Sequence, residues 1–231
     1  MALYGLVTVI TGVGLLGGAI ALVAWLHWRY GVPYALLTVG TITYLAALLV
    51  QLAAVQVLDR ALLGILPVGA LLLGIVVGFS EETARAFGYQ WLAPGAVSRP
   101  QALMIGAGHG LTPAIYTALV AFNVGLSALA EGAGQELDLT SVSRTTAEAL
   151  NSLLPVLMHM ALSWLVLQAF LQGQVAWVFA AIFLHTVVEI TATLLGPPQS
   201  WGVVGWRGLV ALGSIGLIRR VGPRLPPLHG S

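Results

Sequence analysis

The residues able to do chemistry in this chain are few, and they stand beside or inside its most apolar stretches. Residues 61–80, ALLGILPVGALLLGIVVGFS, carry no charged side chain, and Glu81, Glu82 and Arg85 follow at once. His109 lies in the next apolar segment between Gly108 and Gly110, His159 in a later one, and His185 and Glu189 in a third. An ionisable group at the bilayer centre costs roughly 2.5–3.5 kcal/mol on insertion scales, so each marks a candidate functional site. A carboxylate beside imidazoles can take a proton from water, and an imidazole or protonated acid can donate to an oxyanion. HExxH, GxSxG and phosphate-loop patterns are absent. Hydrolysis by an activated water is the chemistry this set permits best.

Spacing says how the set could converge. Glu81–Arg85 and His185–Glu189 are i,i+4 pairs and Glu82–Arg85 an i,i+3 pair, so each pair shares a helix face. Counted at 1.5 Å per residue from the segment ends, Glu81, His109 and His185 all lie roughly 13–16 Å deep. Three helices would bring them to one level. Adjacent Glu81 and Glu82 point about 100° apart on a helix, so only one is expected to face a small pocket. Arg85 can pair with either. Glu82–Arg85 reads equally as an ion pair that neutralises itself, His159 as a hydrogen-bonded core histidine, and Glu189 as a protonated structural acid.

The elements that must position these groups follow from composition. The chain has 231 residues, 58% hydrophobic and 7% charged, with mean hydropathy +0.95. Soluble domains carry about 25% charged residues, so this chain belongs in lipid. The net charge is +1 and all nine basic residues are Arg, with no basic stripe, which excludes nucleic acid as a partner. With no Cys, disulfides and thiolate metal sites are excluded.

Seven apolar segments are long enough to span a bilayer, at roughly 3–26, 33–58, 65–91, 101–130, 148–171, 174–195 and 201–218. They predict one all-α, polytopic membrane domain over 1–231, a bundle of about seven transmembrane helices around an intramembrane polar cavity. The first segment lacks a positive leader region and reads as a retained helix rather than a signal peptide. Phe87, Tyr89 and Trp91 suit an interfacial anchor. Residues 219–231 read as a flexible cytoplasmic tail. Arg29, Arg99, Arg219, Arg220 and Arg224 fall on one side, against Arg60, Arg144 and Arg207 on the other. The positive-inside rule then places this protein in the cell membrane with its N-terminus outside and its C-terminus cytoplasmic. Ala102, Gly106, Gly110 and Ala114 form a small-residue ridge of the kind that lets helices approach closely.

The ordered motifs Glu81-Glu82-Thr83-Ala84-Arg85, Gly108-His109-Gly110 and His185-Thr186-Val187-Val188-Glu189 resemble those of the CAAX-prenyl-protease/bacteriocin-processing superfamily of glutamic intramembrane proteases. Within it they look most like the YhfC-like membrane peptidases. The resemblance covers roughly residues 65–195. It implies a helical bundle and a peptide or protein substrate in or at the membrane. Catalysis without a cofactor is expected from the residues themselves, since the histidines come from three helices with no local ligand pair and Glu81 with His109 suffices to polarise a water. Carried over from the family, Glu81 is the base, His109 its partner, and His185 with Glu189 the oxyanion donors, supported by Glu82 and Arg85; His159, a supporting residue on the reading of the residues themselves, has no place in the family's general pattern. The sequence departs from the broader pattern in having two residues between Glu82 and Arg85, Ile105 where an aromatic is usual, and Glu189 where Asn or Asp is usual.

Two other readings use the same residues. His109, His159, His185 and a glutamate could hold a zinc ion in a metalloprotease site. Glu/His chains also mark proton relays in transporters, or the set could belong to a non-enzymatic membrane scaffold. Membrane lipids are partners on any of these readings.

Overall fold

With no water to satisfy backbone groups in hydrocarbon, apolar segments of this length fold as helices. The computed structural model describes residues 2–58, 64–130 and 139–221. Within them run α1 (Ala2–Tyr30), α2 (Ala35–Val57), α3 (Leu66–Phe87), α4 (Arg99–Ala130), α5 (Leu139–Gln172), α6 (Ala176–Leu195) and α7 (Trp201–Arg220). All seven are long and apolar enough to cross a membrane, so the protein is an all-α, multi-pass membrane protein. Three expected boundaries move. α1 continues to Tyr30, α5 begins at Leu139 rather than 148, and α7 runs to Arg220, so Arg219 and Arg220 are helical. Residues 59–63, 131–138 and 222–231, the last holding most of the tail expected over 219–231, lie outside the described residues.

The bundle is built around α5. Its membrane-crossing stretch is 78% buried, against 17–39% for the other six helices. Every other helix therefore presents mostly lipid-facing surface, and α5 supplies the wall against which the rest pack. Cation–π contact between Arg99 and Trp164, and the hydrogen bond from Trp164 Nε1 to Val221 O, put the start of α4 and the end of α7 at one end of the bundle. Trp201–Ser143 and Gln199–Glu148 hydrogen bonds tie the opposite end.

Missing side chains, not large ones, bring the polar residues together. A Cβ on Gly106 would lie 2.6 Å from His159 O, and one on Gly110 would lie 2.9 Å from Val156 Cα, so the ridge expected on α4 lies directly on α5. Gly40 of α2 faces the backbone of Ile105 and His109, while Gly108 faces Leu37 O. Gly78 of α3 faces Thr186 of α6. Close backbone approach at small residues is the usual way to pack helices in lipid. Here the three approaches press α2 and α5 onto either side of His109 and set α6 against the helix that bears Glu81 and Glu82.

After Phe87 the α3 helix widens into a π-helical turn over Gly88–Leu92. Phe87 and Trp91 are exposed and suit the interfacial role expected of them. Tyr89 does not: it is buried, and its hydroxyl lies 2.7 Å from Ser163 Oγ. The extra residue of a π turn rotates the chain relative to a regular helix, and Tyr89 here becomes the clasp between α3 and α5.

Candidate active site

One oxygen is the focus of the polar core. Glu81 Oε2, on α3, lies 2.8 Å from His109 Nε2 of α4, 3.8 Å from His159 Nδ1 of α5 and 3.8 Å from His185 Nε2 of α6. The first distance is a hydrogen bond; the other two lie beyond hydrogen-bond range. His109 and His159 rings are 4.9 Å apart, and His159 and His185 rings 5.3 Å apart. Glu81, His109 and His185, expected at one depth, thus meet, and His159 joins them around the same carboxylate. Glu82, Arg85 and His109 have no exposed surface, and Glu81 keeps only 5%.

Glu82 does not turn away. Its Oε1 accepts from His185 Nδ1 at 2.8 Å, and its Oε2 accepts from Arg85 Nη1. The expectation that only one glutamate faces a small pocket is therefore corrected. One imidazole reaches both carboxylates, because its two nitrogens lie on opposite edges of the ring. Arg85 chooses Glu82, and its Nη2 donates to His159 Nδ1 at 3.2 Å. A guanidinium has no acceptor, so His159 Nδ1 receives this bond and carries no proton. His159 is hydrogen-bonded as a core histidine would be, and also belongs to the cluster.

Two contributors come from α2, outside the 65–195 span of the resemblance. Gln51 Nε2 donates to Glu81 Oε1 at 3.1 Å and to Ser80 Oγ at 3.2 Å. Thr43 Oγ1 lies 3.0 Å from His109 Nδ1. Neutral polar residues in an apolar helix are common and carry no charge cost, so sequence alone did not single them out. The available signal was small: Gln51 and Gln56 are the two amides in a segment otherwise composed of apolar, Gly, Thr and Tyr residues.

Glu189 is not brought into the cluster. It pairs with Arg207 Nη2 at 3.2 Å, the two side chains being 20% and 19% exposed. Both line a separate cavity of about 490 Å³ with Asn151, near the end of the bundle away from Arg85. A carboxylate paired with Arg accepts hydrogen bonds rather than donating them, which is opposite to what an oxyanion donor must do.

Charge balance limits the states of the core. Glu82 and Arg85 cancel, leaving Glu81 to be neutralised, and an unpaired buried charge is very costly. One further proton makes the cluster neutral, and the short Glu81–His109 bond is where two groups can share it. On the lipid-facing side lies a groove of 480 Å³ between α2 and α3, which meets the cluster only through Thr43, the partner of His109, and Ser80, the neighbour of Glu81. Phe79, Phe87 and Trp91 flank it, and Thr43 and Ser80 form part of its lining.

A seven-helix membrane bundle with a buried Glu/His/Arg cluster is the class this fold and site define. No protein-family model, no curated protein and no solved structure matches the chain.

Proposed function

We propose that this protein is an intramembrane endopeptidase that hydrolyses a peptide bond with water activated by Glu81. The observation that carries this reading is the pair of ring nitrogens facing Glu81 Oε2, His109 Nε2 at 2.8 Å and His185 Nε2 at 3.8 Å. His185 donates its Nδ1–H to the ionised Glu82, so neutral His185 has a bare Nε2 that can accept. Two acceptors 3.8 Å apart can each receive one O–H of a single water held about 2.8 Å from both. Glu81 takes one proton as the water oxygen adds to the peptide carbonyl carbon. The oxyanion that forms is balanced by the proton on His109. When the C–N bond breaks, Glu81 returns its proton to the amine nitrogen, giving a free carboxyl and a free amine. On this reading His185 orients the water instead of donating to the oxyanion, and Glu189 stands outside the chemistry.

The substrate class follows from setting. The reacting groups are buried within a bundle, and the α2–α3 groove beside them is lined almost wholly by apolar side chains. A membrane-embedded segment reaches this groove directly from lipid. The Arg placement supports a cytoplasmic C-terminus and an external N-terminus.

A zinc hydrolase is the second reading, favoured by one observation: ligand atoms of Glu81, His159 and His185 all lie within 4.8 Å of one another. Glu82 on His185 Nδ1 is also the kind of outer partner that zinc-binding histidines have. Against it, the His159 nitrogen nearest Glu81 is already bonded to the Arg85 guanidinium, which places a fixed positive charge beside the ion.

Full-length protein in proteoliposomes, mixed with a pool of transmembrane peptides in ¹⁸O-labelled water, tests the proposal. Cleavage with one ¹⁸O in each new carboxylate is expected. Folded protein that cleaves none of the pool counts against the endopeptidase reading.

A further inference from the structure

Thr43 has one hydroxyl proton and two neighbours. Its Oγ1 lies 2.8 Å from Gly40 O and 3.0 Å from His109 Nδ1. A carbonyl oxygen only accepts, so the proton goes to Gly40 O. The hydroxyl lone pairs then face the histidine. We infer that Thr43 is a positioning residue, an acceptor that keeps the proton of neutral His109 on Nδ1 and turns a bare Nε2 toward Glu81.

This rests on the endopeptidase reading for its purpose, though not for its geometry. With Nδ1–H bonded to Thr43, the one proton shared between Glu81 and His109 can move fully onto Nε2. Both ring N–H groups then have acceptors, and Glu81 is left as the carboxylate that takes a proton from water. In the opposite tautomer Nε2–H would be fixed toward Glu81 and Nδ1 would have no proton to share. A second-layer partner of this kind fixes tautomer and ring orientation, as it does for metal-bound histidines.

The packing around Thr43 looks built for this task. Gly40 lies one turn earlier on α2, against the backbone of Ile105 and His109, and Gly108 beside His109 lies against Leu37 O. These approaches hold α2 at the distance the hydrogen bond needs. On its other side, the methyl of Thr43 fills the space left by Gly88. Thr43 is 2% exposed and His109 is fully buried, so water is not an alternative acceptor at the surface. Tyr44, next on the helix, meets the His109 ring edge-on at 5.5 Å between centroids and fixes its plane.

The test is ¹⁵N NMR of histidine-labelled full-length protein in lipid nanodiscs, with His109 assigned by loss of its signals in His109→Asn. Wild type and Thr43→Ser are expected to show a protonated Nδ1 on His109. Thr43→Val removes the acceptor at constant shape and is expected to shift that proton off Nδ1. The same variant is expected to lose about 10–100-fold in kcat on a cleaved peptide, with KM within about twofold and with Thr43→Ser restoring the rate. An unprotonated Nδ1 in wild type overturns the inference, as does a Thr43→Val enzyme with unchanged kcat. If Thr43→Val does not fold, the wild-type and Thr43→Ser spectra still decide. The tautomer is read without substrate, so a wild type that cleaves nothing counts against the endopeptidase reading while the position of the proton stands.

Discussion

His185 Nδ1 lies 2.8 Å from Glu82 Oε1, joining residues 103 positions apart in the chain. The contact makes Glu82 the hub of a second layer: one oxygen holds the histidine that faces Glu81, and the other holds Arg85. Arg85 in turn reaches His159. The two neighbouring glutamates therefore have different work, Glu81 toward the reacting atoms and Glu82 toward the groups that aim them.

Glu82→Gln should consequently damage the fold before the chemistry. It leaves a fully buried guanidinium without its carboxylate, and breaking a buried pair typically costs about 3–5 kcal/mol. Thermal unfolding in detergent is expected to fall sharply, well below that of Glu81→Gln. Equal melting temperatures for the two variants would contradict the assignment of Arg85 to Glu82.

Gly106→Ala tests the contact that brings His159 to the site. Its new methyl would lie 2.5 Å from Met160 Cα and 2.6 Å from His159 O, both backbone atoms that cannot step aside alone. Overpacking of this kind costs about 1–3 kcal/mol, and α4 must move off α5. Lower thermal stability together with lower activity is expected; a wild-type melting profile would show that the helices are not so closely apposed.

Most of the fold was legible because lipid imposes it. A run of some twenty apolar residues has little alternative to a helix, so seven segments gave seven helices. Ends were less legible where polar sequence continues a helix, as at the start of α5, where Thr, Ser, Arg and Glu remain helical to Leu139. Glu81, Glu82, Arg85, His109, His159 and His185 stood out because charge in an apolar segment is costly, and the structure gathers all six. Glu189 shared that signal but met Arg207, a partner on the following helix that i,i+4 spacing within one helix does not reveal. Thr43 and Gln51 were hidden because a hydroxyl or amide becomes part of a site only through its partner, which tertiary packing supplies.

Glu189→Gln separates the two places for that residue. Its pair with Arg207 is mostly buried, and removing one partner of such a pair leaves the other uncompensated, so the melting temperature is expected to fall while peptide cleavage stays within about threefold of wild type. Loss of activity with unchanged melting would return Glu189 to the chemistry.

Metal content separates glutamic from zinc catalysis. Arg85 on His159 Nδ1 disfavours a dication there, so purified protein is expected to hold far less than one zinc per chain by elemental analysis. Cleavage should survive a strong chelator. Stoichiometric zinc whose removal abolishes and whose return restores activity would establish the zinc reading instead.

The most direct test of the central claim is the single-turnover cleavage rate of Glu81→Gln beside wild type, in proteoliposomes, with melting temperatures matched. The glutamine keeps the shape of the side chain and loses the base. A general base contributes typically 10²–10⁴-fold, so a fall of at least about 10²-fold in a folded variant is predicted. A folded Glu81→Gln protein that cleaves at the wild-type rate would contradict the account.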